Sequence, residues 1–162
     1  MSTSSLLIAV LLLPLLSAVS AFATDRQPLF MRWLVFPLLG LAGLTAVWLG
    51  GQVLLQGVTE TFVYALGLPW LHWHFRLDPL AGFFLILIGI VVIAVSLFGP
   101  GYVREFRHGK QPLSVLGFFT GLFVTGMLMV VVAADAFSFM VAWELMSLTS
   151  YFLVVYQHQN SA

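Results

Sequence analysis

The sequence predicts an all-α transmembrane protein: a five-helix polytopic bundle with a short outward-facing β-hairpin-like loop between helices 2 and 3. Three observations predict it. Of 162 residues, 61% are hydrophobic and only 7% are charged, whereas a soluble domain carries about 25% charged residues, so a water-facing surface cannot be assembled here. The hydrophobic residues gather into five stretches, each long enough for the ~20 helical residues that cross a bilayer core. Between the second and third stretches, continuous apolar sequence gives way to strict alternation, which marks a strand.

The apolar stretches run over Ser5–Ala23, Trp33–Leu55, Leu80–Phe98, Leu113–Ala133 and Ala136–Tyr156. In lipid each must satisfy its own backbone, which leaves helix as the form for such runs. Pro79 and Pro112 fall at helix starts, Pro100 just past a helix stop, and Pro14 inside the first helix, where a kink is expected. Ala134-Asp135 is too short a link for anything but antiparallel neighbours. Ala21-Phe22-Ala23 fits a small-residue cleavage site, but Met1–Ser5 contains none of the basic residues that open a secretory signal, so the segment is read as a helix.

From Leu71 to Asp78 the side chains alternate. Leu71, Trp73, Phe75 and Leu77 share one face, and His72, His74, Arg76 and Asp78 the other. Thr59–Leu66 is the expected partner strand across Gly67-Leu68-Pro69, with tryptophans suited to the membrane interface. Basic residues set the orientation. Arg26 and Arg32 lie between helices 1 and 2, Arg104, Arg107 and Lys110 between helices 3 and 4, and only Arg76 lies on the opposite side. Basic loops stay in the cytoplasm, which puts the N-terminus outside and Gln157–Ala162 inside, in a bacterial-type inner membrane.

Several function classes are excluded. A net charge of zero offers nothing for an electrostatic search of nucleic acid. Without cysteine there is no disulfide, thiolate metal site or cysteine-held iron–sulfur cluster. His72, His74, His108 and His158 all fall outside the apolar cores, so no pair of them can hold a haem within the bilayer. His72 and His74 point the same way along a strand, but two ligands fall short of a metal site. No cofactor is expected on this chain.

Glu144 is the outstanding residue. It lies near the middle of the fifth helix, where an acidic side chain costs roughly 2.5–3.5 kcal/mol to insert. Whether such a group holds a proton depends on nearby charge, which is the physical requirement of a proton relay. Phe137, Met140, Ser147, Leu148 and Tyr151 share its helical face, so Ser147 and Tyr151 extend a polar track. The competing reading is a glutamate that hydrogen-bonds a neighbouring helix for packing alone. Lys110, the one lysine, is in a loop and no arginine sits mid-membrane, so the counter-charge lies outside this chain. Asp135, at the membrane edge, reads as a helix cap or else as a proton entry point, and Asp78 before Pro79 as a cap. Gly117, Gly121 and Thr125 form a small-residue stripe that permits close helix approach.

These motifs carry a resemblance. Ala134-Asp135-Ala136-Phe137, followed by Trp143-Glu144-Leu145-Met146-Ser147-Leu148-Thr149-Ser150-Tyr151, resembles the fifth-helix motif of the antiporter-like subunits. That family includes the large membrane subunits of complex I, the Mrp-type cation/proton antiporters and the membrane subunits of energy-converting hydrogenases. Phe75-Arg76-Leu77-Asp78-Pro79-Leu80, leading into Phe83-Phe84, is similar to the family's entry to the third helix. Within the family, the run is most similar to the hydrogenase-4 component B and formate hydrogenlyase subunit 3 branch.

The resemblance implies that Glu144 is the family's charged carboxylate, moving protons with a lysine two helices later, in a membrane complex coupled to a redox partner. It also implies two inverted repeats of five helices, the first beginning at the fourth helix. Residues 1–112 would then be helices 1–3 with their hairpin, and 113–162 the start of a proton-channel repeat that this chain leaves incomplete. The lipid bilayer and other membrane subunits of a hydrogenase or complex I-like assembly are the expected partners. Competing expectations are a shortened, non-transporting scaffold, a Mrp-type antiporter subunit, and a small carrier that works as a homo-oligomer.

Overall fold

The computed structural model describes residues 2–23, 31–64, 72–105 and 113–161. Among them are five membrane-length helices: α1 (Thr3–Ala23), α2 (Phe36–Gln56), α3 (Pro79–Glu105), α4 (Leu113–Val132) and α5 (Ala136–Ser161). One π-helical turn, Met31–Val35, leads into α2. Strands β1 (Glu60–Tyr64) and β2 (Trp73–Leu77) form an antiparallel pair between α2 and α3. All five expected spans and the hairpin are therefore present.

The hairpin register is Glu60 with Leu77, Phe62 with Phe75, and Tyr64 with Trp73. Phe75 and Leu77 are buried and His74 and Arg76 exposed, as alternation requires. The expected turn at Gly67-Leu68-Pro69 lies outside the described residues, as do Leu71, Arg26, Arg107 and Lys110. α2 ends in a left-handed cap at Gly57 (φ 63°), whose N–H donates to the Val53 carbonyl. At the start of α3, Asp78 accepts from the Ala81 amide at 2.8 Å and pairs with Arg76 at 3.3 Å. That is a helix cap with a cation on its outer side.

Pro100 does not stop the third helix. α3 continues through it to Glu105. A proline forfeits the bond its own nitrogen would donate to the Ser96 carbonyl and crowds that carbonyl, but it holds a helix-compatible φ, so near a helix end the chain can keep turning. Pro14 likewise lies within a continuous α1.

The tightest packing is between α2 and α3. A methyl group on Gly43 would lie 2.8 Å from the Gly89 carbonyl oxygen, and one on Gly89 only 2.7 Å from that of Gly43. Gly50 and Gly82 repeat the arrangement at 2.5 and 3.0 Å. The two reciprocal pairs bring the backbones into contact along an antiparallel seam. α4 meets α1 through the expected stripe: Gly117, Gly121 and Thr125 are buried, and a methyl on Gly121 would lie 2.7 Å from the Pro14 carbonyl oxygen. Ser17 ties α1 to the turn that leads into α2 by donating to the Val35 carbonyl at 2.9 Å. α5 packs mainly on α4 and is the least covered helix, with 17% of its membrane span buried against 50% for α2.

Candidate proton-transfer site

α5 begins at Asp135. One carboxylate oxygen of Asp135 accepts from the Ser138 amide at 2.8 Å, and the other accepts from the Ser138 hydroxyl at 2.9 Å. This satisfies helix-start donors that have no intrahelical acceptor. The second oxygen also meets Nδ1 of His74 at 3.0 Å. His74 is engaged through its backbone as well, with its carbonyl accepting from the Ala134 amide at 2.8 Å and its own amide donating to the Ser138 hydroxyl at 3.3 Å. The ring of Phe137 packs edge-on against Trp73, 5.6 Å between centroids. Hairpin and helix start are thus latched together.

The same bonds set the acidity of Asp135. Burial opposes its charge, but the Ser138 amide, the Ser138 hydroxyl and His74 outweigh that and hold the carboxyl below its ordinary value. A lowered folded value means that the ionised form is the stabilising one. Its contribution is full above the ordinary carboxylate value and disappears as pH falls through the lowered one. Asp135→Ala is expected to cost about 1 kcal/mol at pH 7, as for loss of a cap. Unfolding by denaturing detergent at pH 7 and again at strongly acidic pH measures it. The gap between wild type and variant should shrink toward zero in acid, and a gap independent of pH would contradict the assignment.

Glu144 lies nine positions further along α5, about 13 Å along the axis. Here α5 shows an uncovered face: Glu144 and Ser147 are exposed, with Met140 (51%), Leu148 (55%) and Tyr151 (63%) beside them. The opposite face, with Ser138, Ala142 and Thr149, is buried, and Met146 backs onto Gly126 of α4. Among the described residues Glu144 has no hydrogen-bond or ion-pair partner. The structure therefore places Glu144, Ser147 and Tyr151 on one face and keeps Asp135 apart from them, engaged with Ser138 and His74.

Two participants escaped the sequence reading. Ser138 stands three residues after Asp135, the spacing of a reciprocal cap, and could have been named from that spacing. His74 is 61 residues from Asp135, and no local pattern announces their contact. Among the described residues no group of three or more His, Asp or Glu side chains is placed to hold a metal, and Nδ1 of the His74 ring is engaged with Asp135.

No family model matches the sequence. Individual relatives do. Hydrogenase-4 component B of Escherichia coli is 33% identical over 106 residues, 65% of this chain and 16% of that protein. A putative antiporter subunit of Staphylococcus saprophyticus is 32% identical over 111 residues, covering 65% of this chain and 14% of its own length. The NAD(P)H-quinone oxidoreductase subunit 5 of Paulinella chromatophora is 32% identical over 92 residues, or 56% of this chain and 13% of the relative. The chain thus spans only 13–16% of the length of these relatives. Five membrane helices, the hairpin between the second and third, and these three similarities identify the chain as a partial homologue of the antiporter-like membrane subunits.

Proposed function

We propose that this chain supplies the opening helices of a proton-translocating subunit in a redox-driven membrane complex, with Glu144 as the carboxylate that exchanges the proton. One observation carries the reading: Glu144 faces away from the helices that pack around α5 and has no partner among the described residues. An acid at that depth costs too much to be idle. Its exposure on the open face of α5, between Met140 and Ser147, suits a cationic group brought by a further membrane helix. The family resemblance makes that group a lysine. Ser147 and Tyr151 continue the polar face, and residues from 113 onward form the start of the channel repeat.

The motif Trp143–Tyr151 favours a hydrogenase-type assembly like that of hydrogenase-4, with a cation/proton antiporter as the alternative. Proton translocation per turnover, measured in native membrane vesicles, tests the role of Glu144. Unchanged stoichiometry in Glu144→Gln would leave the chain a scaffold.

The loops rich in Arg and Lys support an N-out, C-in orientation. Reporter fusions at Gly67 and Gly109 are expected to give periplasmic and cytoplasmic signals respectively. The reverse pair of signals would overturn that orientation.

A further inference from the structure

The hairpin grips the first turn of α5 at two points. At one, a ring of hydrogen bonds closes through His74. The His74 amide donates to the Ser138 hydroxyl at 3.3 Å, and that hydroxyl donates to one carboxylate oxygen of Asp135 at 2.9 Å. Nδ1 of His74 meets the same oxygen at 3.0 Å. At the other point Trp73 packs on the ring of Phe137. Successive helix positions differ by about 100° around the axis, so the grips on 137 and 138 act from different directions. One contact leaves a helix free to pivot, whereas two at such an angle fix its rotation. Phe137 stands seven residues before Glu144, close to two turns, and so on the same side of the helix. The rotation fixed at the first turn is carried rigidly to the carboxylate, about 10 Å further along the axis.

We propose that His74 is a positioning residue for Glu144: by donating from Nδ1 to Asp135 it locks the rotational setting of α5, and with it the direction of the Glu144 side chain. The inference rests on the proton-transfer reading of Glu144. The donor role follows from the partner. Asp135 is held below its ordinary value and is ionised at neutral pH, and an ionised carboxylate only accepts, so Nδ1 carries the proton. The amide and hydroxyl of Ser138 belong to α5 itself, so the side-chain donor that ties this carboxylate to another element is His74. Asp135→Asn preserves the contact, because its amide donates to Nδ1 of the other neutral tautomer.

The test uses the native assembly, with amide hydrogen exchange and the rate of proton translocation measured on the same variants. In His74→Ala the amide of Ala134, which donates to the His74 carbonyl, should exchange about fivefold faster, the equivalent of one net hydrogen bond. The Gly57 amide at the end of α2 should not change. Translocation should fall about tenfold, within the hundredfold that a misplacement of about 1 Å can cost. His74→Asn should restore both, because its amide nitrogen, like Nδ1, is bonded to Cγ, while His74→Gln, one bond longer, should not. Added to Glu144→Gln, His74→Ala should cause no further loss, since both act through one group. Three results would overturn the assignment: unchanged exchange at Ala134 in His74→Ala, faster exchange with translocation at the wild-type rate, or His74→Asn as impaired as His74→Ala, which would mean that His74 acts by titrating. Failure of the Glu144 reading looks different. Translocation would then survive Glu144→Gln, which removes the object of the positioning, while the exchange at Ala134 still reports the latch by itself.

Discussion

Glu144→Gln is expected to lower the rate of proton translocation about a hundredfold, the lower range for removing a positioned proton-transfer group, while the protein inserts and assembles normally. Glutamine keeps the shape of the side chain and much of its hydrogen bonding but cannot titrate. Because Glu144 sits on an uncovered face with no partner among the described residues, the substitution breaks no contact within the bundle, so stability gives no competing explanation for a loss of pumping. The redox rate should be recorded in the same vesicles, to separate uncoupling from loss of turnover. Asp135→Asn is the control, since asparagine caps a helix about as well as aspartate, and it should leave translocation near wild type. A packing role for Glu144 predicts the opposite for glutamine, which hydrogen-bonds much as a proton-bearing glutamate does.

The second large effect concerns two adjacent glycines. A methyl group on Gly50 would lie 2.5 Å from the Gly82 carbonyl oxygen and 2.8 Å from Ile86, whereas one on Gly51 meets nothing within 4 Å. Gly50→Ala forces the two backbones apart, at a cost of about 1–3 kcal/mol. Adding Gly43→Ala on the same seam should raise the total to about 2–6 kcal/mol by the same overpacking. Gly51→Ala should instead be neutral or stabilising by up to about 1 kcal/mol, because alanine is the better helix former. Denaturing-detergent unfolding, with steady-state membrane levels alongside, measures all three variants. A Gly51→Ala variant as damaged as Gly50→Ala would show that the seam is not where the structure puts it.

The spans and the hairpin were legible because each follows from a local rule. An apolar run in lipid has one satisfied conformation, and a period of two from Leu71 to Leu77 has one reading. The helix stop at Pro100 failed because a proline near a helix end removes a single bond and leaves the turn intact. The Gly117–Gly121–Thr125 stripe stood out as a four-residue repeat. Gly43 and Gly50 mattered more for packing but gave no warning, since their meaning depends on Gly82 and Gly89 lying opposite in another helix. The site was legible in the same measure. Glu144, Ser147 and Tyr151 share a face by helical arithmetic alone, whereas the His74–Asp135 contact arises only when the hairpin folds back over the start of α5.

The reciprocal glycine pairs bear on leakage as well as on packing. Where backbone meets backbone at Gly43–Gly89 and Gly50–Gly82, no gap remains for even one water, which needs a space of roughly 10–15 Å³ and polar partners. A dry junction of this kind cannot form a hydrogen-bonded wire, and it forces an ion to shed its whole hydration shell. At these two contacts the α2–α3 seam is closed to water and ions. On the proposed reading the protein must hold back a proton gradient, and the glycine contacts would contribute by closing this seam at the points where the two helices touch.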